Sequence, residues 1–431
     1  TANAWIAEAE YRKDKLQGRL YANQQDEGFG LGQQSGVSEG ERKVGITTNY
    51  KLTDDDTLIL EVSRLLDLDT GDTRVRASGE WKKSFKNNKF NIGVVHTDEM
   101  TDKVSSETQA IKIGVGKTLN DGRVALAASV EKNLGGNKSD SSPDRLRLGA
   151  DYKINEKITA FAEQEYTRND EGKGSDTRIG LKTTVWKGGN LNTDLVREYD
   201  EGDITQTKDY FLLGLSQHWK VNDKLHFDFS FDKAKTLDLK YHSSFNEDAL
   251  ANSDDYYAVS VGTGWNSEKW SAAGRLEYRD SETAKRTSLQ YKAVRKQGDH
   301  YAVSKHLRVV DNQQDNGDSE REAKFGFSFA LRSKDWEYTL LNQLDYIDDK
   351  SVTAGEVERT RKLINNLHYN RYLNDDFELS LHYGLKFTQS QTDNSDWGIT
   401  DTLQGAIRYD INENWDAGVQ AGTLRQHDTG T

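Results

Sequence analysis

Residues 377–387 read FELSLHYGLKF, and apolar and polar side chains alternate along the whole stretch. One set of positions carries Phe, Leu, Leu, Tyr, Leu and Phe, and the set between them carries Glu, Ser, His, Gly and Lys. A helix, with its period of 3.6, would scatter these two sets, whereas a strand places them on opposite faces. The stretches LHFDFSF (225–231) and KFGFSFALR (324–332) repeat the pattern. All three predict β-strands with one apolar and one polar face.

Short polar segments rich in Asn, Asp, Gly and Lys separate these stretches along the whole chain. They lie at residues 12–15, 53–56, 86–89, 120–122, 155–157, 187–190, 222–224, 266–269, 296–299, 333–335, 374–376 and 412–414. Asn, Asp and Gly tolerate the positive φ that tight hairpin turns require. Each segment therefore predicts one hairpin, and together they predict about 24 strands, within a range of roughly 22–26.

Longer polar connections, such as residues 24–42, 233–255 and 311–322, lie between the predicted hairpins. Short turns at one end and long loops at the other are typical of outer-membrane barrels, whose short turns face the periplasm. The sequence thus predicts an all-β fold. Specifically, it predicts a transmembrane antiparallel up-and-down β-barrel with short periplasmic turns and long extracellular loops.

Composition sets further limits. The 431 residues include one proline and no cysteine, and no linker-like stretch divides them, so residues 1–431 are predicted to be a single barrel domain. The hydrophobic fraction is only 34%. That value does not exclude a membrane barrel, because only alternate residues of each strand face lipid. The absence of cysteine excludes thiol catalysis, and the net charge of −13 argues against nucleic-acid binding.

Aromatic residues cluster near the short turns. Indole and phenol rings prefer the head-group layer of a membrane, so we predict an aromatic girdle at the lipid interface. Its members are Trp81, Trp186, Trp219, Trp265, Trp270, Trp336, Trp415, Tyr152, Tyr372 and Tyr409.

The polar faces carry charges of both signs. A Lys or Arg that faces lipid at mid-membrane costs about 2–4 kcal/mol, so these faces should line the lumen. The predicted lumen residues are Glu61, Lys112, Glu163, Glu165, Arg275 and Glu277. One stretch, YAVSKHLRVV (301–310), would turn Lys305 towards lipid unless a bulge, a position near the rim or snorkelling intervenes.

Catalytic and metal-binding patterns are weak. The nine histidines are scattered singly without ligand spacing, so we predict no enzyme and no cofactor. Asp54, Asp55 and Asp56, and the segment 252–255, could bind calcium in loops, although solvated turns are the favoured interpretation. The glycine-rich segment 26–36 lacks the strand-turn-helix setting of a phosphate-binding loop and is interpreted as a flexible loop.

The chain resembles large Gram-negative outer-membrane barrels in its strand pattern, aromatic girdle and loop asymmetry. It is similar in size to TonB-dependent transporters and fimbrial ushers, but no segment resembles their plug domains. The sheath barrel that wraps a multihaem cytochrome is similar in size and emptiness. Residues 7–34 resemble the C-terminal barrels of very large surface proteins. We therefore expect a fragment of a longer chain, whose flanking segments would be extracellular or pass back through the lumen.

A barrel of about two dozen strands encloses a lumen that something must fill. We predict a translocation channel or conduit in the bacterial outer membrane, filled by a protein partner or by a segment outside these residues. Two alternatives remain open: a structural anchor that displays extracellular domains, and a sheath around a partner such as an electron-transfer protein. The predicted lipid partners are outer-membrane lipids, including lipopolysaccharide.

Overall fold

The computed structural model describes residues 2–26, 40–101, 105–135, 143–170, 172–201, 205–241, 255–391 and 395–428. These residues form twenty-four strands in a single sheet and one short 3-10 turn, Asn120–Gly122. The strands are β1 Ala2–Lys13, β2 Leu16–Gln25, β3 Glu41–Lys51, β4 Asp56–Asp67, β5 Thr73–Phe85, β6 Asn88–Met100, β7 Ser105–Leu119, β8 Val124–Gly135, β9 Asp144–Lys153, β10 Ile158–Arg168, β11 Lys173–Trp186, β12 Gly189–Glu201, β13 Thr205–Lys220, β14 Leu225–Tyr241, β15 Tyr256–Asn266, β16 Trp270–Ser281, β17 Ala284–Gln297, β18 Tyr301–Gln314, β19 Ser319–Arg332, β20 Tyr338–Thr353, β21 Glu356–Tyr372, β22 Phe377–Gln391, β23 Ser395–Asn412 and β24 Trp415–Asp428.

Each strand pairs antiparallel with the next one in the chain, and β1 pairs antiparallel with β24. The closing ladder runs from Ala2 opposite Leu424 to Tyr11 opposite Trp415. Ala2 and Leu424 are both buried, with Ala4 packed against them. Closure removes the free sheet edges that would otherwise template aggregation. The predicted antiparallel up-and-down barrel is confirmed.

Every predicted short turn lies where an odd-numbered strand joins the next even-numbered strand. Four of these turns share one construction, centred on Asn155, Asn222, Asn374 and Asn412. In each, the Asn side-chain oxygen accepts hydrogen bonds from the backbone N–H groups two and three residues further on, at 2.8–3.2 Å. This local bonding replaces the ladder at the point where the chain reverses. The turn positions were therefore readable from residue type alone.

The connections at the opposite end of the barrel correct one prediction. Residues 311–322 are mostly strand, because β18 continues to Gln314 and β19 begins at Ser319. Likewise β14 continues to Tyr241, well into the segment predicted as a loop. Both faces of the adjoining ends of β18 and β19 are polar, so the alternation that identifies a strand vanishes there while the backbone ladder continues. Residues 27–39 and 242–254, within the other two predicted loops, lie outside the described residues.

The two faces of the sheet differ sharply. Asp345 and Ile364 are 0% exposed and Thr402 is 1% exposed, and all three lie on one face by strand register. This crowded, concave face lines the lumen, and we call it the lumen face. The opposite face, the outer face, bears large apolar side chains that are widely exposed. In the described part of the chain, no helix is long and apolar enough to cross a lipid bilayer.

Asp255 fixes the start of β15 after a long connection. It is 8% exposed, forms an ion pair with Lys235 and accepts a hydrogen bond from the backbone N–H of Thr236. Burial alone would raise the pKa of this carboxyl, but the bonds from Lys235 and Thr236 outweigh it and hold the pKa below its usual range. Asp255 therefore links the start of β15 to β14 through an ion pair and a hydrogen bond.

Candidate functional site in the barrel lumen

Strand register places all six predicted lumen residues on the lumen face. Glu61 lies opposite Ser78, and Lys112 lies opposite Glu131. Glu163 and Glu165 lie opposite Arg178 and Asp176, and Arg275 and Glu277 lie opposite Gln290 and Ser288. Some of these residues form ion pairs in the structure. Lys112 Nζ is 3.1 Å from Glu131 Oε2, and Arg275 is 3.2 Å from Glu277.

A charged wall follows the lumen face from β7 to β13. Glu165 lies between Arg145 and Arg147, with Arg145 Nε 2.9 Å from its Oε1. Arg178 donates to Asp194 Oδ2 from Nε at 3.0 Å, and its guanidinium lies 5.5 Å from the centre of the Phe161 ring. Arg147, Glu165 and Arg178 border an open recess of about 800 Å³. Opposite charges thus meet across neighbouring strands, which orients the side chains along the wall.

A second charged wall follows the lumen face from β16 to β22. Arg308 is 3.3 Å from Glu322, and Lys362 is 3.1 Å from Asp349. The same wall contains a second recess of about 720 Å³, lined by amide, hydroxyl and imidazole groups together with apolar side chains. The second wall therefore repeats the design of the first: cations and carboxylates from adjacent strands neutralise one another at the lumen surface.

Asp345 is a fully buried carboxylate in the second charged wall, where it contacts several side chains. Its Oδ2 accepts a hydrogen bond from Gln343 at 2.7 Å and lies 3.4 Å from Lys324 Nζ, while His306 Nε2 lies 3.3 Å from its Oδ1. The His306 ring reaches Asp345 across Gly326, and a Cβ at that position would overlap both side chains. The glycine is therefore what allows a fully buried carboxylate to meet both His306 and Lys324.

The sequence suggested that the histidines are isolated, but several of them lie in pairs in the structure. His368 and His382 stack on the lumen face with ring centres 4.0 Å apart and planes 4° apart. His218 Nδ1 is 2.6 Å from Asp228 Oδ1, and His226 approaches the same carboxylate at 3.5 Å. The His368–His382 and His218–Asp228 pairs join residues on neighbouring strands, so chain spacing gives no sign of them.

The predicted calcium clusters are only partly described. Asp56 accepts a hydrogen bond from Thr53 at 2.8 Å and pairs with Lys83 at 3.1 Å. Residues 252–254 lie outside the described residues, and Asp255 binds Lys235. Across the described ranges, no group of three or more His, Asp or Glu side chains is placed to hold a metal ion.

Comparison with known proteins identifies the architecture. No protein-family model and no curated protein matches the chain. The FrpB iron transporter of Neisseria meningitidis (F5-1 variant), in its apoprotein form, matches with a TM-score of 0.53 at 9% identity, over 98% of this chain and 81% of that chain. A second FrpB structure matches with a TM-score of 0.51 at 9% identity, over 98% and 82%. The chain has the fold of a bacterial outer-membrane β-barrel. At this identity the likeness establishes the fold alone.

A further match is the ferric-catecholate import receptor Fiu of Escherichia coli K12. Its TM-score is 0.47 at 9% identity, and the alignment covers 99% of this chain and 81% of that chain.

Most of the predicted girdle of this outer-membrane barrel lies on the outer face at the turn end. Trp186 reaches that face because the register shifts just before it, and Trp336 lies within its turn at φ 65°. Tyr372 differs: it lies opposite Glu378, on the lumen face. Sequence reasoning missed four outer-face tyrosines at the same end, Tyr11, Tyr50, Tyr301 and Tyr338. Contact of the girdle with head groups stays a prediction.

Lys305 points to the outer face, opposite Ala293 and Phe327. The register of β18 is continuous with both neighbours, so the bulge considered from the sequence is excluded. Lys305 lies near the turn end of β18, where its aliphatic stem can carry the ammonium group towards the head-group layer. Snorkelling is therefore the explanation that the geometry favours.

Proposed function

We propose that this barrel is a conduit whose hydrated lumen passes, or is occupied by, a hydrophilic polypeptide. The observation that carries the proposal is the paired charge on both lumen walls. Arg145 and Arg147 neutralise Glu165, Arg308 neutralises Glu322, and Lys362 neutralises Asp349. A structural anchor has no need of a polar lumen, whereas a conduit needs a wettable one. The similar solved structures named as iron transporters support a transport role in general.

The size of the lumen supports the second half of the proposal. With strands about 4.8 Å apart and tilted by about 40°, a circular barrel of twenty-four strands places opposite backbones roughly 45–50 Å apart. Charged side chains narrow this space without filling it. Barrels of about twenty-two strands normally hold a plug. We infer that a partner, or a segment outside these residues, occupies the lumen when the conduit is closed.

The charge pairing also indicates how an occupant would be held. Cations already paired with carboxylates on the wall attract a strongly charged ligand only weakly, because each local field is largely cancelled. Uncharged polar side chains such as Gln343, Asn366 and Ser304 line the second recess. This chemistry suits a polar polypeptide that slides or is replaced, rather than a small anion held tightly.

Planar-bilayer recordings test the conduit. The purified protein, refolded into detergent and inserted into a bilayer, is expected to give a large conductance with little preference between anions and cations. Replacing both Arg145 and Arg147 by Gln leaves Glu165 without its two partners, so the reversal potential in a salt gradient should shift towards cation selectivity.

The control variant is Arg197→Gln, which removes a cation that pairs with Asp209 on the outer face. It should leave the reversal potential unchanged. Bilayers that contain folded protein and stay at the baseline current would contradict the conduit. An unchanged reversal potential in the Arg145 and Arg147 double variant would contradict it too, since the current would then bypass this lumen wall.

A further inference from the structure

Four cationic side chains gather on the outer face where β19, β20 and β21 approach the end away from the short turns. Arg321, Lys350 and Arg359 lie directly opposite one another on the three strands. Arg361 follows Arg359 on the same face of β21. We call these four residues the basic patch. Directly opposed like charges destabilise a sheet, so the arrangement is unfavourable unless an anion binds it.

The carboxylates nearby do not balance the basic patch. Asp348 binds Arg359, with Oδ1 2.8 Å from its Nε. Arg361 Nε stands 4.0 Å from the same Asp348 oxygen and is buried without a hydrogen-bond partner. Among the described residues, neither Arg321 nor Lys350 has a carboxylate within ion-pair distance. On β18, Asp311 lies directly opposite Arg321 on the same face, where it accepts a hydrogen bond from Gln313 and forms no ion pair with Arg321. Two aspartates thus serve four cations.

Three other outer-face cations at this end of the barrel are each matched by a carboxylate. Arg197 pairs with Asp209, Lys240 pairs with Asp238 and Arg425 pairs with Asp401, each with a carboxylate on its own or the adjacent strand. The basic patch differs from these three sites in its excess of positive charge. It occurs in a protein whose net charge is −13.

The basic patch continues directly into the lipid-facing surface. Towards the turns, the same faces of β19, β20 and β21 carry Phe325, Tyr346 and Leu363, which are 50%, 41% and 41% exposed. If the short turns are periplasmic, as in outer-membrane barrels generally, these apolar side chains meet the acyl chains of the outer leaflet. The cations then lie at the height of the head groups of that leaflet.

We propose that Arg321, Lys350 and Arg361 bind the phosphate groups of a lipopolysaccharide molecule whose acyl chains lie against Phe325, Tyr346 and Leu363. Guanidinium groups form bidentate hydrogen bonds with phosphate oxygens, and a lysine adds a point charge. An anionic group held by cations on three adjacent strands would also relieve their mutual repulsion. The proposal is independent of what passes through the lumen.

The test compares lipid binding by two triple variants of the refolded full chain. The first variant replaces Arg321, Lys350 and Arg361 by Gln and keeps Arg359, which Asp348 already binds. The matched control replaces Arg197, Lys240 and Arg425 by Gln, so it loses the same number of outer-face cations from balanced pairs. Gel migration with and without heating verifies that all three proteins are folded.

Binding of purified lipopolysaccharide is measured in detergent by native mass spectrometry. The basic-patch variant is expected to bind about tenfold or more weakly than the unmodified protein, and the control less than threefold more weakly. Dephosphorylated lipopolysaccharide should bind the unmodified protein as weakly as the intact lipid binds the basic-patch variant. Inorganic phosphate at the same concentration should not displace the lipid.

Three results would overturn the proposal. Equal lipid affinity in both triple variants would show that the basic patch has no special role. Equal affinity for the phosphorylated and dephosphorylated lipids would exclude phosphate recognition. Displacement of the lipid by inorganic phosphate would assign the basic patch to a free anion instead of a lipid.

Discussion

Ala128→Arg is expected to destabilise the barrel by roughly 2 kcal/mol, and Ala127→Arg by far less. The two residues are adjacent in β8 but face opposite sides. Ala128 lies opposite Val115 and Leu148 on the outer face, and Ala127 lies opposite Gly116 and Gly149 on the lumen face. An arginine at Ala128 must leave water for the hydrocarbon region, while one at Ala127 enters a hydrated lumen beside two glycines.

Urea unfolding in liposomes measures the two free energies of unfolding. The two variants are closely matched, because both replace an alanine of the same strand by arginine. Equal destabilisation of both variants, or a larger effect at Ala127, would contradict the assignment of the faces.

Gly326→Ala is expected to destabilise the barrel by about 1–3 kcal/mol, although alanine suits a strand better than glycine in general. The new Cβ would overlap the His306 ring and the Asp345 carboxylate. His306 must then swing away, which leaves a fully buried carboxylate with a weaker set of partners. Urea unfolding in liposomes measures this loss in the free energy of unfolding.

Gly149→Ala provides the control for Gly326→Ala. It also lies on the lumen face, but the nearest side-chain atom to a new Cβ is that of Ala127 at 3.9 Å, an ordinary contact. This variant should be neutral or slightly stabilising. A neutral result at Gly326 as well would show that the close approach of His306 and Asp345 contributes nothing to the wall.

Local chemistry made much of the fold predictable. Turns such as those at Asn155 and Asn222 depend on a side chain that bonds to its own backbone, so residue type reveals them. The face of Lys112 follows from the apolar residues on either side of it. Both features depend on neighbours in the chain.

Features that depend on register between strands were not predictable. The stacking of His368 on His382 and the approach of His306 to Asp345 each join different strands. No spacing in the sequence fixes which residue stands opposite which. The basic patch was missed for the same reason, because Arg321, Lys350 and Arg359 meet only in the sheet.

Periodicity also failed at the strand ends. Tyr372 lies near a short turn, as a girdle residue should, yet register turns it to the lumen. Residues 311–322 looked like a loop because both faces of that hairpin are polar. Alternation reports a difference between two environments, and it disappears where a strand extends beyond the membrane into water on both sides.

Closure of the barrel between its first and last strands is the central claim, and an engineered disulfide tests it most directly. Ala9 in β1 lies directly opposite Ala417 in β24, at a strand separation that suits a disulfide bond. The chain has no cysteine, so Ala9→Cys combined with Ala417→Cys creates a unique pair. A control combines Ala9→Cys with Ala272→Cys in β16, which pairs with β15 and β17 and not with β1.

Oxidation of the folded protein, followed by denaturing electrophoresis without reductant, gives the result. Closure predicts that the variant with both Ala9→Cys and Ala417→Cys forms an intramolecular cross-link, which changes its migration and reverses on reduction. The control variant should not form one. A β1–β24 variant that stays unlinked when folded, or a control that links equally well, would contradict the closed barrel.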